Sequence, residues 1–166
     1  KLAQFAGVYP EAAAWLQIPG TSADYPVMSG TDNRFYLDHL PDGRRNAMGS
    51  LFLDYRTAVD SPHLIIYGHN IMGGKMFGLL KQYESPDYFM EHKTLTVATE
   101  DSVYVCPVFS VRRVEAKDDA YRLDFKDKNA LTEYAVQAAS QSLYPTDVNL
   151  SNIRKTLPSM QQLKPK

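Results

Sequence analysis

The residues most able to do chemistry sit at the end of one apolar run, Leu64-Ile65-Ile66-Tyr67-Gly68-His69-Asn70. Four β-branched, aliphatic or aromatic residues closed by a glycine read as a buried strand arriving at a turn. A strand end holds a side chain rigidly while the following loop leaves it reachable. A histidine side chain, whose unperturbed pKa lies near neutrality, is a residue type that can take or give a proton there. The plain alternative is a buried structural histidine. The other histidines, His39, His63 and His92, lie among polar residues and are expected at the surface. The four make no HxxxH pair, no acid-rich calcium loop is present, and no metal site is expected. Cys106, the single cysteine, excludes an internal disulfide and a cysteine-rich zinc site.

The chain has 166 residues, 44% hydrophobic and 22% charged, with a net charge of −1. That suits one globular domain over 1–166 and gives no electrostatic case for nucleic acid. No apolar run reaches the roughly 20 residues of a membrane span. Lys1 is not a natural initiating residue, so a processed or expressed piece is expected, with no signal peptide left on it.

The elements around His69 read in order. Residues 1–16 carry a helical pattern through Phe5, Val8, Ala12, Trp15 and Leu16, with a helix expected from Pro10. Short strands are expected at 24–28, 49–56 and 64–67, with one helical turn near 33–37. A flexible loop, 72–75, follows His69, then a short helix over 76–83. Ser85 and Pro86 cap and open another helix. Strands are expected over 94–98 and 102–114, with Pro107 marking an edge or bulge. Residues 129–143 form the clearest helix. The class is mostly β, or α+β, and not a doubly wound sheet.

The order of motifs resembles the sortases, class B most closely. Trp15-Leu16-Gln17-Ile18-Pro19-Gly20-Thr21, Asp24-Tyr25-Pro26-Val27, Gly49-Ser50-Leu51-Phe52-Leu53-Asp54-Tyr55-Arg56, Ile65-Ile66-Tyr67-Gly68-His69-Asn70 and Met76-Phe77 follow in the family's sequence. Tyr121-Arg122-Leu123-Asp124-Phe125, a helix, and Thr146-Asp147-Val148 continue it. The resemblance implies an eight-stranded β-barrel with an N-terminal helix and a long helix before the seventh strand. It implies a cysteine transpeptidase on the outer face of a Gram-positive membrane, its N-terminal anchor outside this chain. Such an enzyme cuts an NPQTN- or LPxTG-type sorting signal after threonine, holds the acyl group as a thioester, and passes it to an amine on a cell-wall precursor or pilin. No cofactor is implied. His69 takes the family's catalytic place, as the general acid that protonates the leaving amine. Asn33 and Leu37, four apart on one helical face, together with Asn70 and Tyr121, are expected to border the signal-peptide groove. Asp54 is expected to pair with an arginine, with orientation of His69 as its second reading.

The family's TLxTC motif and its later arginine have no counterpart in this pattern. Acyl transfer through a thioester needs a thiolate and an oxyanion donor. Three readings follow. The chain stops before the seventh strand, with 147–166 as the connection leading to it and the last two strands lacking; the open barrel would then be weakly stable or self-associate. Thr156-Leu157-Pro158-Ser159-Met160 is a degenerate motif, with Met160 where cysteine belongs. Or Cys106 substitutes, although nothing basic stands beside it in sequence to lower its pKa. Arg112, Arg113 and Arg154 are read as structural or surface residues. The alternative to an active enzyme is a catalytically silent sortase-like barrel that binds a sorting signal without cutting it.

Overall fold

The computed structural model describes residues 1–114, 119–151 and 156–163. The architecture is one curled sheet of seven strands: β1 (Ala12–Gln17), β2 (Asp24–Met28), β3 (Leu51–Leu53), β4 (His63–His69), β5 (Thr94–Ala98), β6 (Val103–Pro107) and β7 (Thr156–Leu163). Their order is β6-β5-β1-β2-β3-β4-β7. β2 with β3 and β4 with β7 pair in parallel, and the other neighbours antiparallel. The helices are α1 (Leu2–Ala6), α2 (Pro86–Glu91) and α3 (Lys128–Ser140).

β4 explains its own place. All seven of its residues are buried, because apolar clusters cover both faces of the sheet here. One face carries Ile66 with Leu51, Leu53, Val27, Phe77 and Leu79. The other carries Ile65 and Tyr67 with Phe52, Met28, Tyr36 and Leu2. A continuous apolar run is what a strand covered on both sides requires. By alternation, His69 shares the second face with Tyr67 and Ile65.

Several expectations change. The helix expected from Pro10 is absent: α1 ends at Ala6, and 12–17 is a strand. Ala14 and Leu16 point into the core, while Trp15 packs on the opposite face, a period of two that pairing with both β2 and β5 rewards over alanine's helix propensity. The long strand expected to 114 ends at Pro107, which has no N–H to extend a ladder. Val108 N still bonds to the Lys93 carbonyl at 2.7 Å, and past it the chain bonds to the end of α3, through Ser110 Oγ to the Ala138 carbonyl at 2.7 Å and Leu143 N to the Val111 carbonyl at 2.7 Å. α3 itself ends before Leu143, which is exposed.

The largest change is at the C-terminal end. Residues 147–166 are not merely a connection towards a missing seventh strand, because Thr156–Leu163 is that strand. It runs parallel to β4, with Ile66 opposite Met160 and His69 opposite Leu163. Among the described residues no eighth strand follows, so the sheet remains an open half-barrel with β6 and β7 at its edges.

Candidate active site

His69 is the last residue of β4 and only 6% exposed. Its Nε2 lies 2.6 Å from the Leu37 carbonyl oxygen. A carbonyl can only accept, so Nε2 carries the proton and donates. In the neutral ring the lone pair then sits on Nδ1. That atom is buried and has no hydrogen-bond partner among the described residues. A buried polar atom left unpaired costs about 1–3 kcal/mol, and an exception of this kind calls for an explanation.

The sequence around His69 fixes its position tightly. A Cβ on Gly68 would stand 2.3 Å from Leu51 and 2.7 Å from Phe77, so only glycine lets β4 lie this close to its cover. After His69 the chain turns back at once, with Asn70 bridged to Met76. Gly73 and Gly74 take positive φ there, and so does Met76 at 51°, whose N–H donates to the Tyr25 hydroxyl at 3.2 Å. Met72, at the tip, is 93% exposed.

Leu37 is delivered by the long loop 29–50 between β2 and β3. Asp32 starts its one 3-10 turn by accepting from the Arg34 and Phe35 amides at 2.7 and 2.8 Å. The loop is sealed where Ser50 N donates to the Tyr36 carbonyl at 2.9 Å. Leu37 and Tyr121 both pack on the cluster that contains Tyr67 and Ile65. Asn70 adjoins His69 and is half-buried. Of the expected groove residues, Leu37 therefore meets His69 directly, through its carbonyl, and Tyr121 shares its underlying cluster.

Asn33, in the loop, bonds to the residues after β3. Its Nδ2 donates to Asp54 at 3.1 Å and its Oδ1 accepts from Tyr55 N at 3.0 Å. Asp54, fully buried, also accepts from the Tyr67 hydroxyl at 2.9 Å and from Arg56 Nε and Nη2 at 2.9 and 2.7 Å. The arginine partner expected for Asp54 is thus Arg56. Burial by itself would raise the Asp54 pKa; the hydrogen bonds from Arg56, Tyr67 and Asn33 outweigh it and hold it at about 2. Burial and the Asp54 carboxylate push the Tyr67 hydroxyl upward, and the same carboxylate raises Arg56. Asp54 does not touch His69 directly.

The remaining candidates lie apart. Cys106 is buried on β6, opposite Leu95, at the far edge of the sheet from β4. Met160 stands opposite Ile66 and not His69, so the degenerate-motif reading puts its residue three places short of the histidine. Arg113 pairs with Glu84 at 2.5 Å, and Arg112 bonds to Gln141 at 2.6 Å. Arg154 and the flank 152–155 lie outside the described residues. Of the other histidines, expected at the surface, only His63 is buried. His63 is 1% exposed, between Phe125 and Tyr134, with Nδ1 2.8 Å from the Arg122 carbonyl oxygen. His39 and His92 are half-buried, stacked on Phe35 and Tyr88 four residues earlier. Among the described residues no group of three or more acidic, histidine or cysteine side chains could hold a metal.

A family model for the sortase domain matches residues 16–156. The chain belongs to the sortase family. Its curated relatives include sortase B of Listeria monocytogenes, 31% identical over 145 residues, and sortase B of Staphylococcus aureus, 27% identical over 143 residues. Each match covers 85% of this chain but 58% and 59% of the relative, so the sortase domain described here spans less than two thirds of either. Among solved structures, Clostridium perfringens sortase B superposes with a TM-score of 0.89 at 27% identity, covering 98% of this chain and 90% of that one. A Staphylococcus aureus sortase B–substrate complex superposes with a TM-score of 0.90 at 24% identity, covering 98% and 76%, and supports the fold. These relatives place the chain in class B and its half-barrel in the sortase fold.

Proposed function

We propose that this sortase domain belongs to a cysteine transpeptidase in which His69 is the general acid. The observation that carries the reading is His69 itself, at the end of β4 with Nε2 tied to Leu37 and Nδ1 left for chemistry. In the reaction a thiolate attacks the carbonyl carbon of the threonine in a sorting signal. The oxyanion collapses to a thioester as His69 gives its proton to the leaving amine. An amine of a cell-wall precursor or pilin then attacks the thioester, its proton passes to His69, and the thiolate is restored. On this reading the thiol is a cysteine outside this chain; the register that brings Leu163 level with His69 is compatible with a nucleophile carried in from that end of β7. The domain works on the outer face of a Gram-positive membrane, held by an anchor outside this chain. Staphylococcus aureus sortase B, a relative solved with its substrate, supports a sorting-signal peptide as the partner class.

A second reading has its own support. Leu163 stands opposite His69, and the sole cysteine lies across the sheet. As given, the 166 residues would bind a sorting signal without cutting it. Binding and cleavage of NPQTN and LPxTG peptides separate the two. Cleavage after threonine by a longer form of the protein, lost in His69→Ala, supports the transpeptidase. Binding without cleavage in that longer form supports the silent domain. Neither binding nor cleavage would overturn both.

A further inference from the structure

We infer that Asp54 is a positioning residue that locks the imidazole of His69 in its Nε2–H tautomer. The ring is gripped between two jaws. One is β4, which carries it; the other is loop 29–50, whose Leu37 carbonyl receives the Nε2 proton at 2.6 Å. Asp54 holds both. Its Oδ2 accepts from the Tyr67 hydroxyl at 2.9 Å, two residues before His69 on the same face of β4. The same oxygen accepts from Asn33 Nδ2 at 3.1 Å, four residues before Leu37 in the loop. Asn33 is locked in turn by Tyr55 N on its Oδ1 at 3.0 Å, and Arg56 grips both carboxylate oxygens from the side, at 2.9 and 2.7 Å.

Only an ionised carboxylate can receive donors from three elements at once, since it has acceptor sites alone. An amide at this place would turn its N–H₂ towards other donors. With Asp54 charged, the loop cannot drift from β4, Leu37 keeps its hold on Nε2, and Nδ1 is the nitrogen that exchanges a proton with reacting groups. The last consequence rests on the acid role proposed for His69; the tautomer does not, and it is read without substrate.

The test uses the intact, nitrogen-15-labelled chain and long-range proton–nitrogen correlation of the imidazole rings, with His69→Asn to assign the signals. The wild type should show a single Nε2–H tautomer whose ring proton exchanges slowly with water. Asp54→Asn and Asn33→Ser should each populate the Nδ1–H form and speed that exchange at least tenfold, with Tyr67→Phe between. Asn33→Ser leaves the bonds of Asp54 to Arg56 and Tyr67 in place, so it reports even if Asp54→Asn fails to fold. A wild-type ring in the Nδ1–H form, or an unchanged ring in either folded variant, would overturn the inference.

Discussion

Asp54 gives the site its pH signature. Its carboxyl is held at about 2 in the fold against an ordinary 3.8. A lowered folded pKa contributes stability that is complete above the unfolded pKa and is lost as pH falls through the folded one. The contribution is about 2 kcal/mol. Chemical unfolding should therefore show a loss of that size between about pH 5 and pH 2, and Asp54→Asn should flatten it. A steep loss retained in the variant would place the acid sensitivity elsewhere. Much at this scale was legible beforehand: His69 stood out by its place after Tyr67-Gly68, and Asp54 by the Arg56 two residues on. Leu37, expected at the groove, also offers its carbonyl to His69. Every residue has a carbonyl, so no residue type signals that role. Asn33, expected at the groove, also holds Asp54 and Tyr55, a role that the fold of its loop decides and its residue type does not signal.

Gly68 and the helix caps belong to the scale of elements. Gly68→Ala would drive a methyl into Leu51 and Phe77 and should cost about 1–3 kcal/mol by overpacking. It would also shift β4 next to His69, so the His69 ring signals should move along with the unfolding midpoint. Asp127 caps α3 by accepting from Ala130 N at 2.9 Å. Asp127→Ala should cost about 1 kcal/mol in urea unfolding while the His69 ring signals stay put, since α3 starts away from that grip. Ser85 and Pro86 were readable as the opening of α2, because capping is local chemistry; the Ser85 hydroxyl does accept from Tyr88 N. The segment 12–17 was not, because three alanines favour helix locally and only β2 and β5, remote in sequence, make it a strand.

For the whole molecule the decisive feature is the parallel pair β4–β7 at one edge of the half-barrel. Thr156–Leu163 has few strand-forming residues and contains Pro158, so nothing local announced it; its pairing partner lies some ninety residues earlier. Removing 156–166 would bare the backbone of β4, the strand that carries His69. That deletion should lower the melting temperature by roughly 10 °C, from lost ladder bonds worth about 1 kcal/mol each, and should promote association through the opened edge. Sedimentation and thermal unfolding of the two forms would show it, and equal melting temperatures would contradict the place given to β7.

On the proposed reading His69 is the proton donor of the reaction and Cys106 is not its nucleophile. Mass spectrometry of the protein after reaction with a sorting-signal peptide tests it most directly. The expected result is no acyl adduct on Cys106 in the 166-residue chain, and in a form extended past Lys166 a thioester on a cysteine beyond Leu163 that fails to form in His69→Ala. An acyl adduct on Cys106, or a thioester that forms equally well without His69, would contradict it.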